Sequence, residues 1–181
     1  MNLFLNRLFR AAKLDASLYE EVITDTGTMF QAMMAVFIYS AASAYGGFGR
    51  GGVAGINFGM ITTLIGWYIW AFSAYFVGMR FLPEAETEGN RKAVLRAMGF
   101  ASSPGLIRML GLIPDFAGPT LLIASVWMFV ATVVAIKQAM NYQSIYRAAG
   151  VCMIGWIIGV IFQGLMYISL LSVFGVPAEQ F

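Results

Sequence analysis

The chain has no histidine. That removes the side chain most used as a general base near neutral pH and the commonest metal ligand, and with it any HExxH zinc motif. It has one cysteine, Cys152, set in an apolar run, so neither a disulfide nor a thiolate metal site can be built within one chain. Charge is scarce: 11% of 181 residues, against about 25% in soluble domains. The net charge of +2 is too small to suggest nucleic acid as a partner. The apolar segments hold no pair of carboxylates, and no serine stands in a GxSxG elbow. The glycine-rich run 46–55, GGFGRGGVAG, lacks the GKS/T ending and the preceding strand of a phosphate cradle, so it reads as a turn. Upstream, no short apolar core ends in a small-residue cleavage site, and the first membrane segment is expected to act as its own insertion signal. No catalytic, cofactor-binding or metal-binding residue is expected.

What the chain does have is apolar length. With 60% hydrophobic residues, it reads as an all-α, polytopic membrane protein, a five-transmembrane-helix bundle whose solvent is the bilayer. The expected spans are 28–45, 56–79, 93–113, 119–136 and a fifth from 147 or 148 to about 174. Three regions follow: a cytoplasmic amphipathic N-terminal region, 1–27; the bundle, 28–175; and a short external tail, 176–181. Within the first region, residues 2–14 read as an interfacial helix with Phe4, Leu8, Ala11 and Ala12 near one stripe, and Arg7, Arg10 and Lys13 are candidates for lipid headgroups. Ser17 and Glu20 have the spacing of a capping box for a second short helix through Val22.

Lysine and arginine set the orientation. They cluster before span one (Arg7, Arg10, Lys13), in the second connection (Arg80, Arg91, Lys92, Arg96) and in the fourth (Lys137, Arg147), while the first connection has only Arg50 and the third has none. This is the positive-inside pattern for a cytoplasmic N-terminus, a cytoplasmic loop around Glu86 and an external Phe181. A re-entrant third segment would move Lys137 and Arg147 outside and weaken it. The loop 83–90 carries Glu84, Glu86 and Glu88 and reads as a solvated stretch rather than a cation site.

The third span is the unusual one. RKAVLRAMGFASSPGLIRMLGLIPDFAGP carries Arg96, Arg108, Ser102, Ser103 and Pro104 where its neighbours are nearly all apolar. An arginine inside a spanning helix costs roughly 3 kcal/mol on insertion scales, so the segment is expected to be sheltered by the others. Pro104 is expected to kink or divide it and to free carbonyls that need partners. Arg108 either snorkels outward to water or Asp115, or turns inward to those carbonyls or to a lipid phosphate. Gly55, Gly59, Thr62 and Gly66 in span two, and Gly155 and Gly159 in span five, are candidates for close helix packing. Trp67 and Trp70 are expected between helices.

Taken together, LDASLYEEVITD before span one, GFASSPGLIRMLGLIP in the middle and VWMFVATVVAIKQAMNYQSIYRAAGVCMIGW near the end resemble the bacterial branch of the Yip domain family, relatives of the eukaryotic Ypt/Rab-interacting membrane proteins. The resemblance implies a five-helix bundle with a cytoplasmic N-terminus in the bacterial inner membrane. The N-terminal region is short beside the long cytosolic region of the eukaryotic relatives and has no DLYGP-type motif, so Rab binding does not carry over. The expected function is non-enzymatic: organising lipids, or a membrane assembly through other membrane proteins or further copies of the chain. The alternative is a small transporter or lipid-moving protein that uses the proline-split third helix.

Overall fold

Apolar runs broken by short polar joints produce an all-helical chain: among the described residues there are seven α-helices, two 3-10 segments and no strand. The computed structural model describes residues 3–48, 52–85, 87, 89–113 and 115–174. Arg50, Glu86, Glu88, Pro114, Phe181 and the tail 176–181 lie outside the described residues.

Two short helices come first, α1 (Leu3–Ala12) and α2 (Ala16–Thr24), turned on Leu14, whose φ is 63°. The cap of α2 is Asp15, not the expected Ser17: the Asp15 carboxylate accepts from the Ser17 N–H at 3.0 Å and from its hydroxyl at 2.7 Å. Asp competes well for this position because its carboxylate takes an orphan N–H at the positive end of the helix. A 3-10 turn, Thr26–Thr28, then leads into α3 (Met29–Phe48). The helix runs through Gly46 and Gly47, so the connection to α4 (Gly52–Arg80) is shorter than the expected 46–55 turn. Gly52 opens α4 with φ 63°, a conformation for which lack of a Cβ is an advantage.

The third apolar run is divided, as its proline requires. It forms α5 (Arg91–Ala101), capped by the Asn90 side chain, and then a 3-10 segment, Ser103–Leu112. Pro104 stands in the first turn of that segment, where a missing N–H is no loss. The carbonyls at the end of α5 are taken by the two serines: the Ser102 hydroxyl donates to Gly99 O at 2.6 Å and that of Ser103 to Phe100 O at 2.5 Å. Then come α6 (Ala117–Ala139), which continues past the expected end at Ile136, and α7 (Ile145–Phe174), which starts directly after Ser144 rather than at 147 or 148. Among the described residues three stretches are long and apolar enough to cross a membrane: Gly55–Arg80, Ala117–Ala139 and Ile145–Met166.

Pairwise packing gives the directions. Ala32 meets Gly99, Tyr39 meets Gly105, and Ser43 meets Arg108, so α3 runs alongside α5 and the 3-10 segment in the same sense. α6 runs against them, with Met128 at Gly105 and Ser125 at Arg108. α7 runs against α4, Gly155 beside Ala74, Gly159 beside Trp70, and Gln163 beside Gly66. The core is concentrated at one end, where Leu18, Tyr19 and Val22 of α2, Val94 and Phe100 of α5, Ile136 and Met140 are fully enclosed. Toward the other end α6 and α7 turn large aliphatic side chains outward, among them Leu122, Val126, Ile161 and Leu165. A surface of that kind suits hydrocarbon, not water.

Candidate functional site

The N-terminal cations are engaged within the protein. Arg7 is buried; it donates to Glu21 at 2.8 Å, to Asp25 at 3.2 Å and to Gln31 at 3.0 Å, tying α1 to α2 and α3. Arg10 donates to Asp15 and to Glu21, each at 2.7 Å. These bonds hold the carboxylates in their charged form: the Ser17 and Arg10 donors bring Asp15 down to about 2, and Arg10, then Arg7, lower Glu21. Lys13 is exposed and lies over its own helix's Phe9 ring. Leu8 and Ala11 face the core, while Leu5 and Phe9 are exposed. The C-terminal end of α1 is pinned by Trp127, whose indole N–H donates to Ala12 O at 2.8 Å from midway along α6. α1 therefore packs on the bundle, and two of its three cations already have carboxylate partners.

Arg96, which flanks the second connection and belongs to the segment expected to be sheltered, is in the core with its surface almost entirely covered. Its guanidinium donates to Val22 O at 2.7 Å and to Ile23 O, the carbonyls left over at the C-terminal end of α2. There the cation meets carbonyls that have no donor within the helix, Val22 O accepting from the Thr28 hydroxyl as well, and the negative pole of the helix.

Arg108 turns inward. It donates through one terminal nitrogen to the Tyr39 hydroxyl at 3.2 Å and the Ser43 hydroxyl at 3.0 Å, and through the other to Ser125 at 2.9 Å. It also lies 5.5 Å from the centre of the Tyr39 ring. None of the carbonyls freed at Pro104 is its partner, and no ion pair links it to Asp115 or any other acid among the described residues. Its Nε is buried with no acceptor. The result is a cation held by neutral hydroxyls, with its charge unanswered.

Beside it is a cavity of about 510 Å³ between α3, α4, α6 and α7. One wall has the Arg108, Tyr39, Ser43 and Ser125 polar groups; the opposite wall has the Trp67 and Trp156 rings. The expected packing glycines divide between two roles. At Gly155 a Cβ would stand 3.1 Å from Ala74 N, so this glycine does permit close approach of α7 to α4. At Gly159 and Gly66 the nearest atoms would be 3.6 and 3.4 Å away, ordinary contact distances, so here the helices approach less closely, and both glycines line the cavity. Gly55 and Gly59 are buried in the first turns of α4, and the Thr62 hydroxyl donates back to Gly59 O. Pro104 has no part in the cavity wall; it starts the segment that delivers Arg108.

Sequence reasoning singled out Arg108 but not Tyr39, Ser43, Ser125 or Gln163. Each is a polar side chain within an otherwise apolar run, and that is a usable signal. Glu84 caps the start of α7: its carboxylate accepts from the Gln143 N–H at 2.7 Å and the Ser144 N–H at 3.3 Å and lies 3.7 Å from Arg147 Nε. No cluster of three potential metal ligands occurs among the described residues. No family model, no curated protein and no solved structure matches the chain.

Proposed function

We propose that this chain is a non-enzymatic integral membrane protein that organises lipid by holding part of a lipid molecule between its helices. The observation that carries the reading is Arg108, facing neutral hydroxyls beside a 510 Å³ cavity inside an apolar bundle. The arginines with a structural role have acceptors that answer their charge, carboxylates for Arg7 and the carbonyls at the negative pole of α2 for Arg96, whereas Arg108 has hydroxyls alone. The occupied hydroxyls of Ser102 and Ser103 support a structural role for those residues. The fold fits a bilayer with five crossings, N-terminus cytoplasmic and C-terminus external, as in a Yip-like bundle. Two features support this. The helix directions alternate, and the divided segment is long enough: eleven α-helical residues and ten 3-10 residues extend about 36 Å at 1.5 and 2.0 Å per residue, against a hydrocarbon thickness near 30 Å.

Reporter fusions at the C-terminus test the topology: external activity is expected, and a reporter active only in the cytoplasm would defeat the odd number of crossings. Lipid retained by the purified chain tests the function. Binding that is unaffected when the cavity is filled would defeat it. A second reading, lipid movement, is favoured by the break between α5 and the 3-10 segment so close to Arg108, since interrupted helices frame pathways in transporters. Liposomes containing the chain alone and a fluorescent lipid in one leaflet separate the two: exchange between leaflets marks movement, and its absence marks holding.

A further inference from the structure

We infer that the ligand of the Arg108 cavity is an anionic phospholipid, its phosphate on Arg108 and the first part of a chain along the cavity wall formed by α4 and α7. This rests on the lipid-holding reading above and adds which lipid and which way round. Four observations lead there.

The first is the sign of the site. Arg108 brings a positive charge, and no Asp or Glu among the described residues lines the cavity. The N-terminal end of α6, the positive pole of that helix, also lines it through Ala117 and Gly118, and the first turn of α6 has no acidic side chain. A zwitterionic headgroup brings the same phosphate together with an ammonium that no described carboxylate of the lining answers.

The second is the state of the polar groups. The Tyr39 and Ser43 oxygens accept from Arg108, which leaves their protons to be donated elsewhere, whereas the Ser125 proton goes to Leu121 O at 2.7 Å. The Nε–H of Arg108 is covered by protein, so what the cluster has to offer is these two hydroxyl protons and the guanidinium charge. A phosphate brings acceptors only. Its oxygens take the hydroxyl protons and answer the charge, and such charge-assisted bonds are the strong ones.

The third is size. At about 30 Å³ per non-hydrogen atom, taken from the share of volume of a water molecule, 510 Å³ has room for roughly 17 atoms. A glycerol phosphate group fills little more than half of that. The remaining space is bounded largely by Trp67, Trp156, Gly159 and Val160, with the Thr63 hydroxyl and the Gln163 amide as its polar side groups.

The fourth is the exit. Trp156, Val160 and Leu121 line the cavity and are exposed, and they continue into the outward aliphatic face of Ile157, Ile161 and Leu165. A chain leaving the cavity here stays in hydrocarbon. In the five-crossing orientation this mouth belongs to the leaflet nearest the start of α6, the external one.

The test uses the full chain purified in mild detergent, exchanged with an equimolar mixture of phosphatidylglycerol and phosphatidylcholine, and read by native mass spectrometry. Separate arms offer glycerol phosphate and inorganic phosphate as soluble competitors. The wild type is expected to retain phosphatidylglycerol over phosphatidylcholine by about tenfold or more, the scale of a charge-assisted pair in a dry site. Arg108→Gln is expected to bring the two lipids within about twofold, with Arg108→Lys between them. Gly118→Leu leaves Arg108 in place and fills the mouth from a position where a Cβ meets open space; it is expected to abolish retention of both. A preference that survives Arg108→Gln would overturn the inference, as would displacement of the lipid by glycerol phosphate at equal concentration, which would mark a small-anion site. Equal retention of the two lipids by the wild type, blocked in Gly118→Leu, also overturns it while leaving the lipid-holding function intact. A wild type that retains neither lipid would instead remove that function.

Discussion

Arg96→Leu takes away the side chain that donates from α5 to the end of α2, and its cost can be worked out from the two carbonyls it leaves. Val22 O keeps the Thr28 hydroxyl at 3.0 Å, whereas Ile23 O is left without a side-chain donor among the described residues. An acceptor stripped of its partner costs about 1–3 kcal/mol, and the lost charge-assisted bond to Val22 O about 1.5–3 kcal/mol more. Leucine returns part of this, because its burial is favourable and the desolvation of a buried charge is relieved, together roughly 2 kcal/mol. The net expectation is a loss of about 0.5–4 kcal/mol. Arg96→Lys should fall in between, since an ammonium presents one point of charge where the guanidinium spans both oxygens. Chemical unfolding of the detergent-solubilised chain gives the magnitude, and hydrogen exchange gives the place: amides of residues 16–24 lose protection while those of 150–160 in α7 keep it. A loss under about 0.5 kcal/mol with unchanged exchange in α2 would refute the argument that Arg96 docks the N-terminal hairpin.

Two further outcomes follow from local geometry. Gly99→Val should destabilise by about 1–3 kcal/mol in thermal unfolding, because its Cβ would stand 2.8 Å from the Ala32 Cβ and 2.9 Å from the Ala32 carbonyl, while Gly118→Ala, facing open space, should be within about 0.5 kcal/mol of the parent. Acid should release the N-terminal hairpin: Asp15 and Glu21 are lowered in the folded state by Ser17, Arg10 and Arg7, so their stabilisation is complete above the ordinary carboxylate range and is lost as pH falls through the folded values. Exchange protection of residues 3–24 is expected to hold from pH 7 to 5 and decline between about pH 4 and 2; a decline already at pH 6 would contradict it.

How much of this could be read from the chain depends on the range of the interaction. The apolar runs declare α4, α6 and α7 because membrane-length hydrophobicity is additive and local. The break at Pro104 is equally local, since proline removes an N–H wherever it stands. Asp15 displaced Ser17 as the cap of α2 because both residues carry a suitable oxygen, and the choice rests on where the Leu14 turn places the first free N–H. Arg7 and Arg96 were harder. By sequence alone Arg7 is a cation beside a span, like Arg80 or Lys137, and Arg96 a charge in a segment that needs shelter; only the return of α2 over α5 supplies carboxylates to one and helix-end carbonyls to the other. For Arg108 the sequence reduced the choices to outward and inward; the inward direction depends on Tyr39, Ser43 and Ser125, which come from helices 65 or more residues away in two of the three cases.

The central claim is that a lipid anion enters the bundle at Arg108. The most direct measurement is photo-crosslinking with phosphatidylglycerol that carries a diazirine near the glycerol end of one chain, followed by mapping of the adducts. Thr63 and Trp67 line the cavity and are more than nine-tenths covered, so lipid packed around the outside does not reach them. The expected result is adducts on Thr63, Trp67 or Gln163 that disappear in Gly118→Leu. Adducts confined to the outward side chains Leu122, Ile123 and Val126, and unchanged by that substitution, would contradict it.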